Sequence, residues 1–223
     1  MIKYLLAFLA SATLSAARAD APMQIELVSS VKSVQPGRPF YVALSLEHGR
    51  GYHSYWKMPG IVGVPTSIKW TDLPKGFSAG EIDWPAPERV YMFQIKSQGY
   101  ERDVLLPVLI TPPKTLKPGS MVTLSGKAGW MSCAKQCNPG FKDLSITLPV
   151  TEAGEADFDD NWRSRIASEL ARRPVLSTSW TLSAKPVNDT GYVATLTPGP
   201  GSRPICEREA RKLIWFTEDG QVD

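Results

Sequence analysis

The most reactive side chains in this 223-residue sequence are three cysteines, Cys133, Cys137 and Cys206. The first two lie in the run Trp130-Met-Ser-Cys133-Ala-Lys-Gln-Cys137-Asn-Pro139-Gly140. Four steps of extended strand cover about 13 Å, whereas a disulfide needs Cα atoms about 5.5 Å apart. A bridged pair must therefore sit on a turn or a single helical turn, and Asn138-Pro139-Gly140 supplies a turn signal. Such a bridge closes a loop of about five residues and adds roughly 2 kcal/mol by the chain-entropy estimate, so it is a weak staple. A short bridge at a loop tip is also open to attack by another protein's thiol, the requirement of disulfide exchange. Lys135, between the two cysteines, favours a thiolate. Spacing alone leaves three chemistries open: a structural disulfide, an exchange-active one, and metal ligation. Cys206, in Pro204-Ile-Cys-Glu, is the odd cysteine; burial is the expectation, with pairing across domains or a free thiol as alternatives.

The remaining candidates are weaker. His48 and His53 are the only histidines and form no ligand pattern with a neighbour. Met121, Met131 and His53 with the two cysteines make a soft donor set suited to copper, although their spacing does not require it. Tyr52, Tyr55, Trp56, Trp70, Trp84 and Trp130 read as core aromatics. No Ser-His-Asp order, phosphate loop or paired-carboxylate signature stands out. The 25 basic and 22 acidic residues give a net charge of +3. Without Lys3 and Arg18 of the leader described below, 23 basic residues face 22 acidic ones, a net of +1. Nucleic-acid binding, which needs clustered positive charge, is excluded.

The elements that must position the cysteines read as strands. Phe40, Val42, Leu44 and Leu46 alternate with small or polar residues, as do Val122, Leu124, Gly126, Ala128 and Trp130, and then Leu144, Ile146, Leu148 and Val150. Turn signals separate these runs at Pro36-Gly37, Pro59-Gly60, Pro74-Lys-Gly76, Pro118-Gly119 and Pro139-Gly140. Eight or nine short strands in about 130 residues predict a mostly β chain with an immunoglobulin-like β-sandwich; a closed barrel is the alternative. Residues 20–151 form this domain. Residues 152–174 are a linker and an amphipathic helix: Phe158, Trp162, Ile166 and Leu170 make one apolar stripe, Asp157 is the expected N-cap and Pro174 the stop. Strand-like runs at 179–184, 191–197 and 212–217 make 175–223 a partial or accessory β region, and the ending at Asp223 suggests a chain cut within a second β-domain.

Residues 1–19 read as a cleavable signal peptide: Lys3, the apolar run 4–14 and Ala17-Arg18-Ala19. The apolar run, about 11 residues, is short of the roughly 20 that span a bilayer. Pro107 interrupts Val104–Ile110, so no transmembrane segment is expected after cleavage. The expected location is the periplasm, where disulfides persist.

Several runs together resemble a known family. They are Gly51-Tyr-His-Ser-Tyr-Trp-Lys-Met-Pro-Gly60, Val64-Pro-Thr-Ser-Ile-Lys-Trp70, Leu73-Pro-Lys-Gly-Phe-Ser-Ala-Gly-Glu-Ile-Asp-Trp-Pro85, the run 100–107 (YERDVLLP), and 130–139 with its cysteines. In this order they resemble the N-terminal periplasmic domain of the DsbD-type thiol:disulfide interchange proteins, above all the branch that includes the copper-sensitivity suppressor ScsB. The resemblance covers about residues 24–150. It implies an immunoglobulin-like domain with Cys133 and Cys137 as the catalytic pair. Electrons would arrive from a membrane domain through a thioredoxin-like donor and leave to periplasmic disulfide-bearing acceptor proteins. Cytochrome c biogenesis and copper tolerance are the settings it suggests. It also implies a cap over the pair, for which Val90-Tyr-Met-Phe93 is the candidate; Tyr91, Phe93 and Lys135 are the candidate cap or partner contacts. Two features depart from the family: the C-x3-C spacing is shorter than its commonest form, and the sequence carries neither membrane helices nor a thioredoxin-like module.

The resulting expectation is a periplasmic thiol:disulfide interchange module without a bound cofactor or metal. Its rivals are an immunoglobulin-like binding module with an inert disulfide and a copper-handling protein that uses the same cysteines with Met131 or His53.

Overall fold

A computed structural model describes residues 22–154, 157–188 and 191–217. The leader at 1–19 and the ending at 218–223 lie outside the described residues.

Ten strands precede the first helix. They are β1 (Met23–Ser29), β2 (Phe40–His48), β3 (Ser54–Tyr55), β4 (Ser67–Asp72), β5 (Ser78–Ile82), β6 (Glu88–Met92), β7 (Ile95–Tyr100), β8 (Val104–Thr111), β9 (Met121–Cys133) and β10 (Cys137–Pro149). They form antiparallel sheets in the orders β1-β2-β8-β5, β10-β9-β4 and β3-β7-β6. The first two stack as an immunoglobulin-like sandwich, not a closed barrel. Between them, Leu44, Leu46 and Leu106 of one sheet meet Ala128 and Leu144 of the other. Further along, Val42, Val108 and Ile110 meet Val122, Leu124 and Leu148. The expected period-2 runs are thus the core faces of β2, β9 and β10.

β2 and β8 are buried on both faces because a helix covers the outside of their sheet. Helix α1 (Asp160–Leu170) sets Ile166 against Val28, Ala43 and Leu105, flanked by Trp162 and Leu170. Its N-cap is Asp159, whose carboxylate accepts from Trp162 N, not the expected Asp157. The reason is local: Asp157 O accepts from Lys32 N at 2.8 Å and Phe158 bridges to Val31, so the chain is still extended there.

Beyond α1 come β11 (Trp180–Asn188), β12 (Gly191–Pro198) and the short α2 (Glu207–Ala210). β11 and β12 pair only with each other. Leu182 opposes Leu196, Ala184 opposes Ala194 and Pro186 opposes Tyr192 on one face of this hairpin. The strand expected at 212–217 does not form, since no partner strand among the described residues offers it a ladder. Cys206 is exposed as the N-cap of α2, a correction to the expected burial.

Candidate functional site

The two longest strands, β9 and β10, form a hairpin that ends at the cysteine pair. Their register runs without a bulge from Met121↔Pro149 to Cys133↔Cys137. The turn is Ala134-Lys135-Gln136, closed by Ala134 N donating to Gln136 O at 3.1 Å. The expected turn at Asn138-Pro139-Gly140 is instead the first part of β10. Proline is tolerated there because β10 is an edge strand. Gly140 lies opposite Trp130, and a Cβ on it would fall 2.4 Å from the indole ring.

Cys133 and Cys137 are joined as a disulfide with Cα atoms 4.1 Å apart. The two sulfurs sit in unlike surroundings. Cys133 has 0% exposure and packs with Tyr55 and Val90, while Met92 and Met131 pack over the cluster. Cys137 is exposed at the rim. Met92 Sδ is 3.8 Å from Cys137 Sγ, a contact between the end of β6 and the exposed half of the bridge.

Two elements hold this arrangement. On one side, His53 N donates to Cys133 O at 2.9 Å and Cys133 N donates to His53 O at 3.0 Å. This bridge joins the end of β9 to the residue just before β3. On the other, β6 and β7 form a hairpin whose two-residue tip is Phe93-Gln94. Phe93 adopts φ 56°, a left-handed conformation in which a bulky side chain is strained.

The electrostatics around Cys133 are those of a neutral, water-poor pocket. Burial pushes the Tyr55 phenol up and the His53 imidazole down, so both are uncharged near neutral pH. Tyr55 Oη and His53 Nε2 are 3.3 Å apart, with the rings edge to face. Lys135 stands exposed at the turn.

The segment 90–93 does lie against the pair, through Val90 and Met92. Tyr91 and Phe93 remain exposed, at 48% and 73%. Strand parity accounts for this, since Val90 and Met92 share one face and Tyr91 takes the other. Met92 was the residue that sequence reasoning missed, and that parity was the available signal. Of the soft donor set, Cys133, Cys137 and Met131 come together and His53 is bridged to them through its backbone. Met121 is at the far end of β9, opposite Pro149. Among the described residues no group of three or more His, Cys, Asp or Glu side chains is placed to hold a metal.

The family described as thiol:disulfide interchange protein DsbD, N-terminal, matches residues 21–149. Among solved structures, the chain is similar to the N-terminal periplasmic domain of ScsB from Proteus mirabilis, with a TM-score of 0.55 and 21% identity. The match covers 79% of this chain and 64% of that one, so the chain spans less than two thirds of that structure's length. That likeness shows the fold. A PapD-like domain of human CEP192 aligns over 66% of this chain and 100% of its own, with 15% identity and a TM-score of 0.22, too low to bear on the site. No curated protein sequence matches.

Proposed function

Because the chain belongs to the DsbD N-terminal thiol:disulfide interchange family, we propose that it relays reducing equivalents in the periplasm through Cys133 and Cys137. In this reading residues 20–151 are the exchange domain and 175–223 are accessory. The observation that carries the reading is the asymmetry of the bridge: one sulfur exposed on the rim, the other buried in a neutral pocket.

That asymmetry supports the following roles. A thiolate from a thioredoxin-like donor attacks the accessible Cys137 Sγ; the Cys137–Cys133 bond breaks, and Cys133 leaves and takes a proton. The donor's second thiol then attacks the donor sulfur of the mixed disulfide, which oxidises the donor and frees Cys137. Cys137, exposed on the rim, is the thiol that an acceptor can reach, so it supplies the attacking thiolate. Cys137 next attacks an acceptor's disulfide. Cys133 displaces the acceptor sulfur from the mixed disulfide, which restores the bridge and releases the acceptor as a dithiol. Two electrons and two protons have moved from donor to acceptor. Tyr91, Phe93 and Lys135, exposed around the pair, are the partner contacts in this scheme.

Substitution tests the assignment. In a Cys206→Ser background, which removes the exposed third thiol, reduced Cys133→Ser incubated with an oxidised model acceptor should accumulate a mixed disulfide through Cys137, whereas reduced Cys137→Ser should trap none. The Cys133–Cys137 potential should lie above about −300 mV, the region of labile and catalytic bridges. A lower potential, with neither variant trapping an adduct, would leave the binding module with an inert disulfide as the better account.

A second reading, Cu(I) binding by the reduced pair, draws on Met92. Two sulfurs bound at about 2.3 Å to a tetrahedral ion are about 3.8 Å apart, the separation of Met92 Sδ and Cys137 Sγ. Competition with a cuprous chelator tests it: binding by the reduced protein should weaken in Met92→Leu and vanish in either cysteine variant.

A further inference from the structure

The hairpin that carries Met92 is anchored at its base. From Gln98 to Tyr100 it is fastened to the body: Trp56 N donates to Gln98 O, Gln98 N donates to Pro59 O, and β7 pairs with β3. Between 89 and 97 the backbone ladder of the described residues joins β6 and β7 only to each other. Val90 and Met92 pack the outer half against Tyr55 and Cys133, and its direction is set where its two legs enter the body.

Both legs meet at Arg102. This guanidinium, 26% exposed, donates through Nε to Glu88 Oε1 at 3.0 Å, and Glu88 is the first residue of β6. It donates through Nη1 and Nη2 to the two oxygens of Glu169, at 2.6 and 3.0 Å. Glu169 is near the end of α1 and only 11% exposed. The second oxygen of Glu88 accepts from Glu101 N on the outgoing leg. Two neighbouring bonds tie the same junction: Ala86 N donates to Arg172 O at 2.8 Å, and the buried Tyr100 hydroxyl donates to Pro85 O at 2.7 Å. A forked, two-carboxylate arrangement fixes orientation in a way a single point charge does not.

We propose that Arg102 is a positioning residue of the exchange site: by clamping Glu88 of the hairpin to Glu169 of α1, it holds Met92 against Cys137. Four strand steps, about 13 Å, separate Glu88 from Met92, so a small rotation at the base becomes a displacement at the bridge. Helix α1 lies outside the family match at 21–149. It thereby acts on the pair without touching it. The proposal rests on the cap geometry and not on the identity of any physiological partner.

The test is the second-order rate at which dithiothreitol reduces the Cys133–Cys137 bridge of the full chain, with thermal midpoints recorded in parallel. Glu169→Gln removes the charge and keeps the shape; it should raise the rate about fivefold, a coupling of the size that contacts within one network show. Arg102→Lys, which keeps the charge but loses the fork, should shift the rate the same way. In a Met92→Ala background, itself faster, Glu169→Gln should add nothing, because the clamp acts through Met92. An unchanged rate in Glu169→Gln, or the same factor in the Met92→Ala background, would overturn the proposal and leave Arg102 a purely structural role. If Glu169→Gln does not fold, Glu88→Gln, on the more exposed arm, provides the same comparison. Failure here leaves the electron-relay reading standing, because that reading depends on adduct trapping and potential.

Discussion

Opening the Cys133–Cys137 bridge should weaken the domain measurably without unfolding it, and the two cysteines should contribute unequally. The bridge joins residues four apart in sequence. For a closed loop of about five residues the chain-entropy relation gives about 7 cal/mol/K, or about 2 kcal/mol at 25 °C. Against a total stability on the order of 5–15 kcal/mol, that loss leaves the fold intact, as the proposed exchange cycle requires. Cys137→Ser should match the reduced wild type closely, because position 137 is exposed and a hydroxyl there is solvated. Cys133→Ser should fall a further 1–3 kcal/mol or so, because its hydroxyl is taken out of water into the buried cluster of Tyr55 and Val90. Cys133→Ala, which adds no polar atom, should recover much of that difference. Urea unfolding of oxidised wild type, reduced wild type and the three variants measures each quantity. Equal losses for Cys133→Ser and Cys137→Ser would refute the asymmetric burial on which the assignment of roles depends. A loss well above about 4 kcal/mol on simple reduction would mark the bridge as a structural staple and refute the entropy argument.

Three further outcomes follow from particular side chains. Gly140→Ala should destabilise by about 1–3 kcal/mol and alter tryptophan fluorescence, because its Cβ displaces the Trp130 ring; a thermal midpoint equal to wild type would contradict the register. His48, its side chain 2% exposed, has its pKa lowered to about 4, mainly by burial. The folded state thus disfavours the proton that the unfolded chain takes up near pH 6.5, and stability present above pH 6.5 is lost as pH falls towards 4. The full effect is about 3 kcal/mol, read as the difference in urea midpoint between wild type and His48→Gln at pH 7.5 and 4.5. Phe93→Gly relieves a left-handed bulky residue and should hold or raise stability by up to about 1 kcal/mol. If Phe93 contacts partners, this variant slows reduction by a thioredoxin-like protein while the dithiothreitol rate holds; parallel loss of both rates would argue against that contact.

The sandwich was legible because its core strands carry uninterrupted alternation, and Val122 through Trp130 point as their parity says. What failed has tertiary causes. Pro139-Gly140 is a turn signal in any isolated peptide. Here the proline lies on an edge strand and the glycine yields space to a cross-strand indole, and neither fact is local. The family resemblance points to the segment 90–93, but residue type favours its aromatic members, whereas strand parity turns Val90 and Met92 towards Cys133. Arg102 lay within a recognised run and still gave no sign of its role, because its partners Glu88 and Glu169 are 14 and 67 residues away. Asp157 was a sound cap by type, displaced when a backbone bond to Lys32 kept the chain extended past it.

The reciprocal backbone pair between His53 and Cys133 has a mechanical consequence. Cys133 is stitched to neighbours on two sides, to β10 and to the residue before β3, whereas Cys137 opens an edge strand. When the covalent bond is cleaved, the sulfurs must separate to van der Waals distance, and the softer side yields. Compliance is therefore concentrated at Cys137 and the three-residue turn, with Cys133 serving as the fixed abutment. In the proposed exchange, opening the bridge would then move the hairpin tip on the Cys137 side, away along β9 and β10 from the layers where Leu124 and Leu148 pack.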